Sequence, residues 1–171
     1  MNKRQKGFSL IELLIVVAII LIIAAIAIPN LLRARIAANE ASAVGSVRSI
    51  VTAEISYSST WGQGFAATIA NLGGATPCTA SAATSCFLDP VLSVAPFQKS
   101  GYTLSAAGLG AACTAAAPCT RFVVGAVPMT VGQTGQRTFC NDQSGVSRFD
   151  AAGGGAPATD TACQAFPALG N

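Results

Sequence analysis

One stretch constrains this 171-residue chain more than any other: residues 8–28, twenty-one positions whose only charge is Glu12. From Leu13 to Ile28 the run is apolar without interruption. As a helix, twenty-one residues rise roughly 30 Å, the hydrocarbon thickness of a bilayer. Lys3, Arg4 and Lys6 stand just before it. Such a basic flank stays cytoplasmic and places the remainder of the chain across the membrane. A cleavable secretory signal has the same basic start and apolar core, and Ala25-Ile26-Ala27 resembles a small-residue cleavage site. The run is longer than a typical signal core, however, and neither a signal nor a plain anchor gives a reason for Glu12. An acid at the centre of a membrane helix costs on the order of 3 kcal/mol, and less near the helix end, where Glu12 lies.

Cutting the chain between Gly7 and Phe8 supplies a reason. The new amine on Phe8 is a positive charge at the edge of the apolar run, and Glu12 becomes the fifth residue of a helix whose first turn favours a carboxylate. A pair within one molecule is one solution, since the amine lies one turn back, roughly 6 Å along the axis. A pair between two copies is the other. It would neutralise an otherwise costly carboxylate and set the stagger between neighbouring helices.

The run Lys6-Gly7-Phe8-Ser9-Leu10-Ile11-Glu12, with the apolar stretch behind it, resembles the class III signal of type IV pilins and type II secretion pseudopilins. That resemblance implies removal of leader residues 1–7 after Gly7 by a prepilin peptidase and N-methyltransferase, methylation of Phe8, and assembly of homo-oligomeric helical filaments through Phe8 and Glu12. It also implies an inner-membrane assembly platform with its ATPase as partner, and membrane lipid around the helix before assembly. The head would then be periplasmic, and later part of a periplasmic or extracellular filament.

Beyond the apolar run, Pro29 lacks a donor and marks a kink or local opening. The family resemblance places local melting of the assembled helix at about residues 24–30. Helical periodicity resumes at once, so an amphipathic continuation is expected over 29–58. Leu32, Ile36, Ala43, Val47 and Ile50 share a face with Val44, Val51 and Ile55 beside them, while Arg33, Glu40, Arg48 and Glu54 take the other side. Gly45-Ser46 is a weak spot. A helix over residues 8–58 would be roughly 75 Å long, more than a head of this size can cover. Lipid or other copies must bury its first half.

Residues 59–171 read as a globular head. Tyr57, Trp61 and Phe65 form a packing cluster where helix gives way to loop, and residues 71–85 read as irregular. Strands are predicted at 102–105, 121–127, 137–140 and 146–149, the last two a hairpin around Asp142-Gln143-Ser144-Gly145. The expected fold is α+β: a long helix packed in its second half on a small antiparallel sheet of three or four strands, stapled by disulfides.

All six cysteines, Cys78, Cys86, Cys113, Cys119, Cys140 and Cys163, fall in the head. An even number in an exported chain points to disulfides, with fifteen possible pairings. Pairing of neighbours is expected, because each bridge closes a loop rich in small residues that pack poorly. A Cys140–Cys163 bridge would resemble the disulfide-bound C-terminal region of many pilins. Zinc is the rival, but the chain has no CxxC and no histidine.

The absence of histidine also removes His-based triads and imidazole bases. Past residue 8, seven basic residues balance seven acidic ones, so no basic surface for nucleic acid is expected. Some pseudopilins bind calcium in a C-terminal loop, for which Asp142 and Asp150 are the nearest residues here. The carboxylates are too few for an oxygen cage, and turn capping suits both better. No cofactor, metal or catalytic residue is expected. The reading is a structural subunit of a pilus or of a secretion pseudopilus. The alternative from another class is an exported monomeric binding module with an ordinary signal or anchor.

Overall fold

The structure is a computed structural model that describes residues 8–62, 64–110, 113 and 119–170. Gly7 and the rest of the leader lie outside the described residues. The chain divides into two compact units, Met1–Arg35 and Ile36–Asn171. Helix α1, Leu10–Trp61, contributes to both. Pro29 lies inside it, and helical backbone continues on either side and through Gly45 and Ser46.

Of the first unit, the described part is helix with an exposed apolar surface. Among the described residues α1 is the one helix long and apolar enough to cross a membrane, and none of its most apolar window is buried.

The second unit is α+β. Its sheet comprises β1 (Gln98–Lys99), β2 (Tyr102–Leu109), β3 (Arg121–Pro128), β4 (Thr138–Asp142) and β5 (Arg148–Asp150). All neighbours are antiparallel and the spatial order follows the sequence. Alternation explains β2: Tyr102, Leu104 and Ala106 point inward while the residues between them face out. They meet Phe122, Val124 and Ala126 of β3 and Phe139 of β4 in one core with Ala43, Val47, Ile50 and Tyr57 of α1. The strand β3 is buried on both faces. Val123 looks away from α1 into a second, smaller core with Cys140, Cys163 and Phe166.

A 3-10 turn, Ile69–Leu72, and two short α-helices also belong to this unit. Helix α2, Pro90–Ser93, starts where the Asp89 carboxylate accepts the Val91 N–H and proline occupies the first turn. Helix α3, Asp160–Gln164, starts where the Thr159 hydroxyl accepts the Ala162 N–H. Disulfides join Cys78–Cys86, Cys113–Cys119 and Cys140–Cys163, each between neighbours in the sequence. The third ties α3 to β4.

Three expectations need correction. Glu40 and Glu54 are not on the solvent side of α1: they are 8% and 0% exposed. Positions 40, 43, 47, 50, 54 and 57 step by three and four, so both glutamates continue the apolar stripe and enter the core with it. Ile55, assigned to that stripe, is instead 58% exposed. The sheet has five strands because the two-residue β1, whose sequence carries no alternation, adds an edge.

Candidate assembly site

Ser9 and Glu12 shape the start of α1. The Ser9 N–H donates to Glu12 Oε2 at 2.9 Å, and the Leu13 N–H donates to the Ser9 carbonyl at 3.2 Å. Ser-x-x-Glu ahead of an apolar run is the sequence form of a capping box, and here the glutamate half is made. Residues 9–12 carry this local signal in the sequence itself. The partner of Glu12 among the described residues is therefore a neutral backbone amide three residues back. Phe8 is 80% exposed, and large apolar side chains from Leu10 to Leu31 are exposed along the helix that follows it. Of the two residues singled out for assembly, Glu12 lies in the first turn of α1 and Phe8 just before it.

The second unit is clamped to its own stretch of α1 by polar contacts that the sequence did not reveal. Glu40 Oε1 accepts the N–H groups of Gln136 and Arg137 at 3.0 and 3.1 Å. Its Oε2 accepts Arg137 Nε and Nη2 at 3.0 and 2.7 Å. Burial alone would raise the Glu40 carboxyl, but the Arg137 guanidinium and the two backbone donors outweigh it and hold the group below its ordinary value. The same guanidinium stacks 5.4 Å from the ring centres of both Phe139 and Phe149. Asn39 Nδ2 donates to the Thr134 carbonyl at 2.8 Å, and the Ser42 and Ser100 hydroxyls meet at 2.9 Å. Gly135 is required in this corner, because any β-carbon there would strike the Tyr102 ring. The Tyr102 hydroxyl in turn donates to the Arg137 carbonyl at 2.9 Å.

Near the end of α1 the arrangement is different. Glu54 Oε2 accepts the Ala66 N–H at 2.9 Å, and Oε1 has no partner among the described residues. Burial pushes this carboxyl up to about 8, against the modest opposing pull of the Ala66 donor. It is a neutral acid at neutral pH, pinning the segment that follows the helix. Tyr57 and Trp61 lie along the same face, and the Phe65 ring meets Phe122 edge-on at 4.7 Å.

Asp142 and Asp150 are not brought together. Asp142 accepts the Ser144 N–H and Gln164 Nε2 at 2.8 and 2.7 Å, whereas Asp150 accepts the Ala152 and Gly154 N–H groups at 3.0 Å each. Both cap turns. Among the described residues no three Cys, Asp or Glu converge as a metal site would require.

Residues 2–28 match the prokaryotic N-terminal methylation motif. The chain is 47% identical over 56 residues to the type IV major pilin protein PilA of Myxococcus xanthus, covering 33% of this chain and 26% of that one. It is 66% identical over 38 residues to the type IV wide pilus major component PilA4 of Thermus thermophilus, covering 22% of this chain and 29% of that one. The matched segments thus span between a quarter and a third of these relatives' lengths. No solved structure gives a significant match. The start of the chain thus carries the prokaryotic N-terminal methylation motif and is similar there to the corresponding segments of two type IV pilins.

Proposed function

We propose that this chain is the precursor of a filament subunit, cut after Gly7, N-methylated at Phe8 and polymerised through residues 8–28 into a type IV pilus. The observation that carries this reading is an exposed apolar helix whose one acid, Glu12, sits in its first turns with only a neutral amide for company. Burying such a surface in water requires lipid or other copies of itself. In the filament, Glu12 leaves the Ser9 amide for the Phe8 amine of a neighbouring copy, which fixes the stagger. The precursor waits in the inner membrane with its N-terminus cytoplasmic and its head periplasmic. There it meets the prepilin peptidase and the assembly platform with its ATPase. Both relatives are named as pilus components, which favours a pilus over a pseudopilus. The work is structural and needs no catalytic group.

Intact-mass measurement and N-terminal sequencing of the mature chain test the processing step. The expected product starts at methylated Phe8; a start at Ile28 would mean an ordinary signal peptide and an exported module instead. Assembly is tested with Glu12→Gln, which keeps an acceptor for the Ser9 amide and removes the charge. Cleavage is expected to proceed while filament yield falls as far as in Glu12→Ala, and normal yield from Glu12→Gln would discard the charge pair.

A further inference from the structure

All seven carboxylates of the chain lie among the described residues, so their partners can be followed one by one. Glu12 belongs to the apolar segment. Glu40 and Asp160 pair with Arg137 and Arg121. Glu54 and Asp142 are fully buried. Asp150 gives an oxygen to each of two turn amides. Asp89 is what remains. It is exposed, its Oδ1 accepts the Val91 N–H at 2.7 Å, and it makes no ion pair among the described residues. Around it Phe87, Val91 and Val94 are exposed apolar side chains.

The cations of the second unit sort in the same way. Arg121 and Arg137 are paired, and half-buried Arg148 donates Nη1 to the Phe166 carbonyl at 3.0 Å. Lys99 also makes no ion pair among the described residues, but it stands on β1, which packs on α2, and so belongs to the Asp89 patch itself rather than to a second surface. The other unpaired cation of this unit is Arg48. It is exposed on α1, and its guanidinium makes no ion pair or hydrogen bond among the described residues. Two depressions of about 380 and 390 Å³ adjoin at this residue, sharing Arg48 and Leu169 in their walls. Val44 and Val146 add apolar lining, one to each.

We propose that the α2 tip of one copy docks in the α1 groove of the next, Asp89 on Arg48, with Val91 and Val94 covering the groove's apolar walls. This rests on the filament reading and names the contact between heads within it. A planar guanidinium suits a carboxylate that still has free lone pairs. The two patches are different surfaces of the same molecule, so each copy offers one and receives the other. Such a contact propagates as an open helical array, as a filament requires. The apolar neighbours matter as much as the charges, since an exposed pair alone contributes little.

The test is filament yield from cells expressing the full chain, sheared and normalised to total disulfide-bonded subunit. The variants are Arg48→Glu, Asp89→Lys, Asp89→Asn and the exchange Arg48→Asp with Asp89→Arg. Asp89→Asn keeps the α2 cap and removes only the charge. Each single variant is expected to lower yield by about fivefold, and the exchange to restore most of it. Wild-type yield from Arg48→Glu or from Asp89→Asn would overturn the contact. So would single losses that the exchange fails to repair. Absence of filaments from the unaltered chain would instead sink the filament reading itself.

Discussion

Glu40 and Glu54 share one stripe of α1, yet the fold holds their carboxyls in opposite electrical states. Glu40 is ionised and gripped by Arg137, with its proton affinity lowered; Glu54 is protonated and alone, with its affinity raised to about 8. The signs follow. A raised acid binds its proton more tightly when folded, so its stabilising effect is complete below its ordinary value of 4.5 and is lost as pH climbs to about 8. A lowered acid acts in the other direction: what Glu40 contributes is present above 4.5 and lost as pH falls through its folded value. Asp160, lowered by Gln143 and by Arg121 against the effect of burial, adds to the acid-side loss. Stability of the second unit is therefore expected to peak near the ordinary carboxylate range. It should then fall by about 1.4 kcal/mol per pH unit toward pH 8. Denaturant melts followed by fluorescence of Trp61, the single tryptophan, would show this. Glu54→Gln is expected to flatten the alkaline limb while leaving the acid limb in place. A limb unchanged in that variant would assign the titration elsewhere.

Among the elements, those with long, regular patterns were legible and the short ones were not. Strand β3 announces itself by its branched and aromatic residues Phe122, Val123, Val124 and Val127. Strand β2 does so only over residues 102–105, because Ala106, Ala107 and Gly108 carry no strand signal, and the Asp142–Gly145 turn fixes the β4–β5 hairpin. Helices α2 and α3, of four and five residues, carry no period to read. Their capping residues, Asp89 and Thr159, were the available signal. Glu40 and Glu54 were misplaced for another reason. Glutamate reads as solvent-facing, and only the partner segments around residues 136 and 66, distant in sequence from Glu40 and beyond the helix from Glu54, reveal what holds them inside. Of the candidate assembly site, Gly7, Phe8 and Glu12 stand out by the motif, whereas the Ser9–Glu12 cap is carried by the weaker Ser-x-x-Glu spacing. The disulfide Cys140–Cys163 shows how one element depends on another, because it is the anchor of α3 and both sulfurs are buried. Replacing both by serine is expected to cost about 3 kcal/mol. Limited proteolysis should then cut within residues 151–170 first, with β2 and β3 still protected; an unchanged cleavage pattern would show that the small core around Val123 holds α3 without the bridge.

At the scale of the whole molecule, the chain divides its burial between two solutions. The described residues of the second unit bury much of their own apolar surface with a sheet, one main core, one smaller core and three disulfides. The apolar helix of residues 8–28 does not, and its exposed side chains state what it lacks. Assembly through that helix needs one specific contact to choose a stagger, since apolar packing alone slides easily along a helix. Glu12 and the amine released at Phe8 are proposed to be that contact. A density map of the assembled filament tests this most directly. The expected result is the Glu12 carboxylate within about 4 Å of the Phe8 nitrogen of a different copy. A Glu12 carboxylate still resting on its own Ser9 amide, with neighbouring Phe8 amines elsewhere, would contradict it.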